Sequence, residues 1–374
     1  MDRRGFLIGT AMAAAWAGSG PVRAVAASRP GWAPYADTFA MDACGGLGRE
    51  GRKPDSPYTD LELGDLRDSG LSALQLTVAP VGRYANALED TVEYISRWNE
   101  EVARRPEYLL LARNGADFDR AQRERKTALV YGFQDTTPIG EDPDRIATFH
   151  RLGVRSVQLT YNLRNLVGDG CLEPADAGLS RYGRKIIEAL NEQRIAVDLS
   201  HSGRRTALDA FAASKSPALV SHSGCAALAA LPRNKTDEEL RAMAQRGGVV
   251  GIYLMPFLRV KGQPMAADLI AHLEHAVNVC GEDHVGIGSD GTVSAVQLTA
   301  EYKREHRKVI AERRALGISA PGEADDVYLI LPDLNHPRRL ETLAGLLSAR
   351  GHSDARIAKL LGGNFKRALT EIWG

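Results

Sequence analysis

Beyond its N-terminus the chain has no run approaching the ~18 consecutive apolar residues of a membrane-spanning helix, so the mature protein reads as soluble. It has no charge excess: 47 Lys and Arg balance 47 Asp and Glu. A nucleic-acid binder normally carries a basic excess, so no nucleic-acid partner is expected. Cysteine is scarce, with four in 374 residues, and none shows the C-x-x-C spacing of a zinc knuckle or redox pair. Nine histidines are too few to mark a metal-rich scaffold by number, so position must carry the argument. No glycine-rich phosphate turn follows the first apolar run, which speaks against a nucleotide-binding open sheet. Internal repeats and low-complexity tracts are also missing. The remaining composition, 44% hydrophobic and 25% charged, suits one large barrel or two medium domains.

The N-terminus carries the first positive signal. Arg3-Arg4 precedes an apolar, small-residue stretch from Phe6 to Ala17, and Ala24-Val25-Ala26 follows as a cleavage site. Residues 1–26 therefore read as a bacterial twin-arginine export signal, with the mature chain in the periplasm and no membrane attachment after cleavage. A retained anchor is the alternative; the short apolar stretch and the cleavage site argue against it. Export permits disulfides among Cys44, Cys171, Cys225 and Cys280, although small buried residues are the simpler reading of Cys171 and Cys280.

Eight short, nearly continuous apolar runs follow: 38–43, 71–78, 128–133, 156–161, 196–201, 218–223, 248–254 and 285–290. Such runs suit strands buried on both faces. Amphipathic stretches at 88–107, 142–152, 180–193, 203–214, 236–246 and 266–279 separate them, several opening on a capping residue: Asp142, Ser180, Thr236. Strand–helix alternation implies a parallel sheet, and closure gives a (β/α)8 TIM barrel of α/β class over residues 27–374. The charged, irregular segment at about 292–331 reads as an insertion over the mouth, and 338–348 and 355–372 as two C-terminal helices.

Barrel chemistry sits at the C-terminal ends of strands. Three of those ends are unusually polar: Asp198-Leu199-Ser200-His201, Ser221-His222-Ser223 and Gly288-Ser289-Asp290-Gly291. Neutral imidazoles ligate Zn²⁺, and a carboxylate beside them serves as ligand or base, so His201, His222 and Asp290 are the expected metal ligands. His272 and His275, three apart on an outer helix, lack the H-E-x-x-H spacing and read as a solvated helix face. Asp169, Glu173 and Asp176 lie near the mouth, where they shape substrate charge preference or are simply wet, and Tyr161 and Arg164 are candidates for substrate contact on the same grounds.

Several segments together resemble the membrane (renal) dipeptidase family, peptidase family M19. They are 195–202, 220–223, 285–291, Leu159-Thr160-Tyr161-Asn162, Gly178-Leu179-Ser180-Arg181-Tyr182-Gly183 and Gly362-Gly363-Asn364-Phe365-Lys366-Arg367. The resemblance runs from about Asp42 to the C-terminus. It implies a (β/α)8 metal-dependent hydrolase that cleaves dipeptides or related amides with two zinc ions. It assigns His201 and His222 to one zinc site, Asp290 to metal contact and proton handling, and Arg233 to the substrate carboxylate. Tyr161 stands where many members place a substrate-contacting His.

Three family positions differ. Asp42-Ala43-Cys44-Gly45-Gly46 replaces the family's Asp-Gly-His-Asn-Asp, so Cys44 and Gly46 stand where zinc ligands are expected. Gln134 takes the place of the glutamate that bridges the metals, and the neighbouring Asp135 points away unless the strand has ended. Two buried divalent ions without matching carboxylates are costly by several kcal/mol each. The expectation is therefore at most one firmly bound zinc ion, on His201, His222 and Asp290, with Gln134 as a weak neighbour. Cys44 is either a thiolate ligand or a small buried residue. The expected function is a periplasmic metallo-dipeptidase acting on a small peptide-like substrate, with a homodimer as an open option. Its alternatives are a barrel that binds a peptide-like ligand without hydrolysis, and an amide or lactone hydrolase of secondary metabolism.

Overall fold

The computed structural model describes residues 31–49, 56–82, 85–315 and 319–374. The twin-arginine pair and its cleavage site lie outside the described residues. Eight parallel strands follow one another in space as in sequence: β1 (Met41–Asp42), β2 (Ala73–Thr77), β3 (Thr127–Phe133), β4 (Val154–Gln158), β5 (Ala196–Asp198), β6 (Ala218–Ser223), β7 (Val250–Ile252) and β8 (Val285–Ile287). Each apolar run of the sequence overlaps one of them. The two ends of the sheet meet: the Ala43 N–H donates to the Ile287 carbonyl at 3.0 Å, and Gly45–Gly46 pairs in parallel with Gly291–Thr292. The chain is a (β/α)8 barrel. Leu109–Leu111 adds a short strand beside β3 that hydropathy alone did not single out.

Alternation within the strands divides the core. Leu74, Leu76, Leu129, Tyr131, Val157, Val197, Val220 and Ile252 pack into the larger cluster, with helix residues such as Ile146, Ile186 and Leu273. Their strand neighbours Met41, Ala73, Ala128, Val130, Ala196 and Leu219 join Phe118, Phe365, Leu369 and Trp373 in a second cluster. The C-terminal helix Asn364–Trp373 thereby seals the N-terminal end of the barrel, with Phe118 and Trp373 ring centroids 5.2 Å apart.

Local chemistry sets the helix boundaries. The Ser180 hydroxyl accepts the Gly183 N–H at 2.9 Å, and Thr236 forms a reciprocal capping box with Glu239. Asp142 does not cap. It accepts the Asp144 N–H at 3.1 Å, and that helix starts later, at Arg145. The C-terminal segment expected as one helix is broken at Gly362, where a Cβ would crowd the Met41 amide and the Phe39 carbonyl. The expected irregular insertion contains a helix, Ala300–Ala315, whose His306, Ile310 and Arg313 are buried at helical spacing.

Candidate metal centre

The polar strand ends converge at the C-terminal mouth. Asp198 ends β5 and organises the next strand: its carboxylate accepts the Ser200 and Ser221 amides, each at 3.0 Å, and both of those hydroxyls. Because Ser221 Oγ gives its proton to Asp198, it accepts at 2.9 Å from His222 Nδ1. β6 shifts register here, and Gly251 and Gly288 lie so close that a Cβ on either would overlap the Ser221 carbonyl. Asn162, in left-handed conformation with φ 53°, directs its Oδ1 to His201 Nδ1 at 2.7 Å.

Both Nδ1 atoms are thereby committed as donors, which leaves both Nε2 atoms as acceptors. They face one another at 2.9 Å. Burial, aided by the cations Arg233 and Lys235, holds both imidazoles well below their ordinary pKa, so a shared proton is disfavoured. Two neutral lone pairs aimed at each other in a buried site fit a cation.

Cys44, His222 and Asp290 each offer a ligand atom, all within 4.8 Å of one another, with His201 joined on the His222 side. Asp290 adopts the left-handed region, φ 56°, and its amide donates to the Cys44 carbonyl at 2.7 Å, which ties the ends of β1 and β8 together. Burial raises its carboxyl to about 6, with Arg233 opposing. Cys44 Sγ lies 3.8 Å from Asp290 Oδ1 and 3.6 Å from Gln134 Nε2, whose amide also donates to Thr77 Oγ1 at 2.9 Å. Asp135 does point away, its carboxylate holding the Gly82 and Thr137 amides at 2.7 and 2.8 Å.

Arg233 is 1% exposed and lies over the Tyr253 and Phe257 rings. One Nη donates to the Ser200 carbonyl at 2.6 Å; the other is buried and meets no hydrogen-bond acceptor among the described residues. Tyr161 stacks on His201 with ring centroids 4.1 Å apart, and its hydroxyl meets Arg313 of the inserted helix. Arg313 is itself held bidentately by Glu323 at 2.9 and 2.8 Å. Arg164 donates within its loop to both carboxylates, its amide to Glu173 and its guanidinium to Asp169. His272 is buried rather than solvated: it accepts the Cys225 amide and donates to the Leu258 carbonyl. His275 pairs with Asp237 at 2.8 Å. All four cysteines are free, and Cys171 and Cys280 are only partly buried, against the expectation for that pair.

The sequence profile of the membrane dipeptidase family, peptidase family M19, matches residues 52–312. The chain belongs to that family. Its members are metal-dependent hydrolases of the dipeptidase kind. An uncharacterized protein in the pqqA 5' region of Klebsiella pneumoniae is 28% identical over 277 residues, covering 71% of this chain and 89% of that protein. Dipeptidase verJ of Clonostachys rogersoniana is 32% identical over 241 residues, or 62% of this chain and 61% of verJ, so the match spans less than two thirds of that relative. An amidohydrolase from Pseudomonas aeruginosa shares the structure with a TM-score of 0.77 and 30% identity, over 91% of this chain and 98% of that one.

Sequence reasoning missed the roles of Asn162, Asp198, Ser221 and Arg313. Asp198 and Ser221 stood in the polar strand ends, and a carboxylate three residues before His201 was their available signal.

Proposed function

We propose that this chain is an exported, periplasmic, metal-dependent hydrolase of a dipeptide or related amide that ends in a free carboxylate. The facing Nε2 atoms of His201 and His222, both acceptors and 2.9 Å apart, with His222 also within 4.8 Å of Asp290, carry the reading. A divalent ion, taken here as zinc, would be held by those three residues and would supply Lewis-acid polarisation and an acidified water. Asp290 takes a proton from the attacking water and returns one to the leaving amine. Arg233, packed over two rings and with one Nη that meets no acceptor among the described residues, grips the substrate carboxylate. Tyr161, braced by Arg313, covers His201 and shields it from bulk water.

The rival, a barrel that binds such a ligand without cleaving it, draws on Gln134 in place of a charged bridging group. A panel of dipeptides and N-acyl amino acids, assayed with and without added zinc, separates the two. Cleavage that is lost on chelation supports the hydrolase; tight binding with no cleavage at any metal level supports the rival. Export rests on Arg3-Arg4 and Ala24-Val25-Ala26. Periplasmic accumulation that fails for an Arg3→Lys, Arg4→Lys double variant is the expected result.

A further inference from the structure

We propose that Cys44 is a thiolate ligand to a single divalent ion in this mouth, and that this one ion uses up the site's negative charge. The inference rests on the metal reading above and deepens it. Cys44 lies two residues beyond β1 and is fixed at both backbone ends: its amide donates to Asp42 Oδ1 at 3.2 Å, and its carbonyl accepts from Asp290. Its sulfur is thereby brought within 4.8 Å of the ligand atoms of both His222 and Asp290. The thiol is free of any disulfide.

The neighbouring carboxylates are not available. Asp42 is committed to the Cys44 amide and to the Ser289 amide and hydroxyl. Asp135 is committed to Gly82 and Thr137, and Asp198 to Ser200 and Ser221. Gly46 offers no side chain, and Gln134 turns an N–H donor toward the sulfur, which suits a thiolate acceptor rather than a bridging ligand. Asp290 and the Cys44 thiolate together supply two negative charges, which balance one divalent cation. A second would be uncompensated, at a cost of several kcal/mol. A sulfur, two imidazoles and one carboxylate select borderline and soft ions, zinc, cobalt and cadmium, over magnesium or manganese. As the ion binds, the thiol proton now directed at Asp290 leaves to solvent, and nothing is oxidised or reduced.

The test loads the full-length mature protein with Co²⁺ and follows equilibrium dialysis and near-ultraviolet absorption. The expected result is one equivalent bound, with sulfur-to-cobalt charge-transfer absorption. In Cys44→Ser the apo protein keeps its circular dichroism and melting point, the band disappears, and affinity falls at least as far as on loss of an outer-sphere partner, roughly 10–100-fold. One equivalent bound with no such band in the wild type overturns the thiolate while leaving the metal reading intact. Two tight equivalents overturn the charge argument. No bound ion at all sinks both readings. Should Cys44→Ser fail to fold, the wild-type stoichiometry and spectrum decide alone.

Discussion

At the N-terminal ends of the strands, Met41, Ala73, Ala128, Ala196 and Leu219 meet Phe118, Phe365 and Trp373 in an apolar cluster. At the other end of the same strands, Asp42, Asp198, His201, His222 and Arg233 are equally buried. The first region is held by non-directional burial, whose energy follows area and volume and spreads over many contacts. The second is held by directed bonds, in which each buried polar group depends on a named partner. One end therefore answers a substitution with a change in stability, the other with a change in chemistry. A variant at either end that moved both properties equally would break this division.

The largest expected effect belongs to the mouth. Asp290→Asn removes the proposed proton acceptor and should lower turnover of a cleavable dipeptide by roughly 10²–10⁴-fold. The apo protein should melt no lower, because a carboxyl held at about 6 by burial gains nothing from its charge. Retained turnover would remove Asp290 from the mechanism. At the opposite end, Phe118→Ala should cost about 3–5 kcal/mol in denaturant unfolding and leave the bound-metal stoichiometry untouched. A metal-deficient but stable Phe118 variant would contradict the separation of the two ends.

The buried carboxyl of Asp135, which turns away from the metal centre, also predicts a pH response. Burial raises Asp135 from 3.8 to about 6. Between those values the folded state binds more protons than the unfolded state, so the group's contribution to stability falls as pH rises. At ~1.4 kcal/mol per pH unit the swing for this one group is at most about 3 kcal/mol. In Asp135→Asn the unfolding free energy should decline less between pH 4 and 6 than in the wild type. Identical slopes would mean that the folded carboxyl titrates at its ordinary value.

The strands were legible because burial on both faces leaves a nearly unbroken apolar run, a signal that needs no knowledge of partners. The polar strand ends were legible for a related reason: Ser-His twice over, at the mouth of a barrel, is out of place among apolar neighbours. The closeness of Cys44 to Asp290 was not legible, since it arises only when β1 meets β8 across 246 residues. Nor was the left-handed turn that directs Asn162 at His201. Arg313 was hidden in a segment of such charge that its buried stripe, His306, Ile310 and Arg313, reads as surface. Gly362 stands in a helix-forming stretch, and only the approach of β1 requires the break there.

The smallest effect should come from a residue that would not itself touch the ion. Ser221 Oγ donates to Asp198 and accepts from His222 Nδ1, so it fixes which nitrogen of His222 carries the proton. Ser221→Ala leaves the imidazole in place but lets its tautomer exchange, and the fraction with an Nε2 lone pair facing His201 falls. Metal affinity should drop roughly 10–100-fold, with the ion still bound at one equivalent when saturated. Ser221→Thr, which keeps the hydroxyl, should recover most of the loss if the hydroxyl rather than the volume matters. Equal affinity in wild type and Ser221→Ala would show that packing alone orients His222. The directed bonds of the mouth would then be as interchangeable as the apolar contacts at the other end.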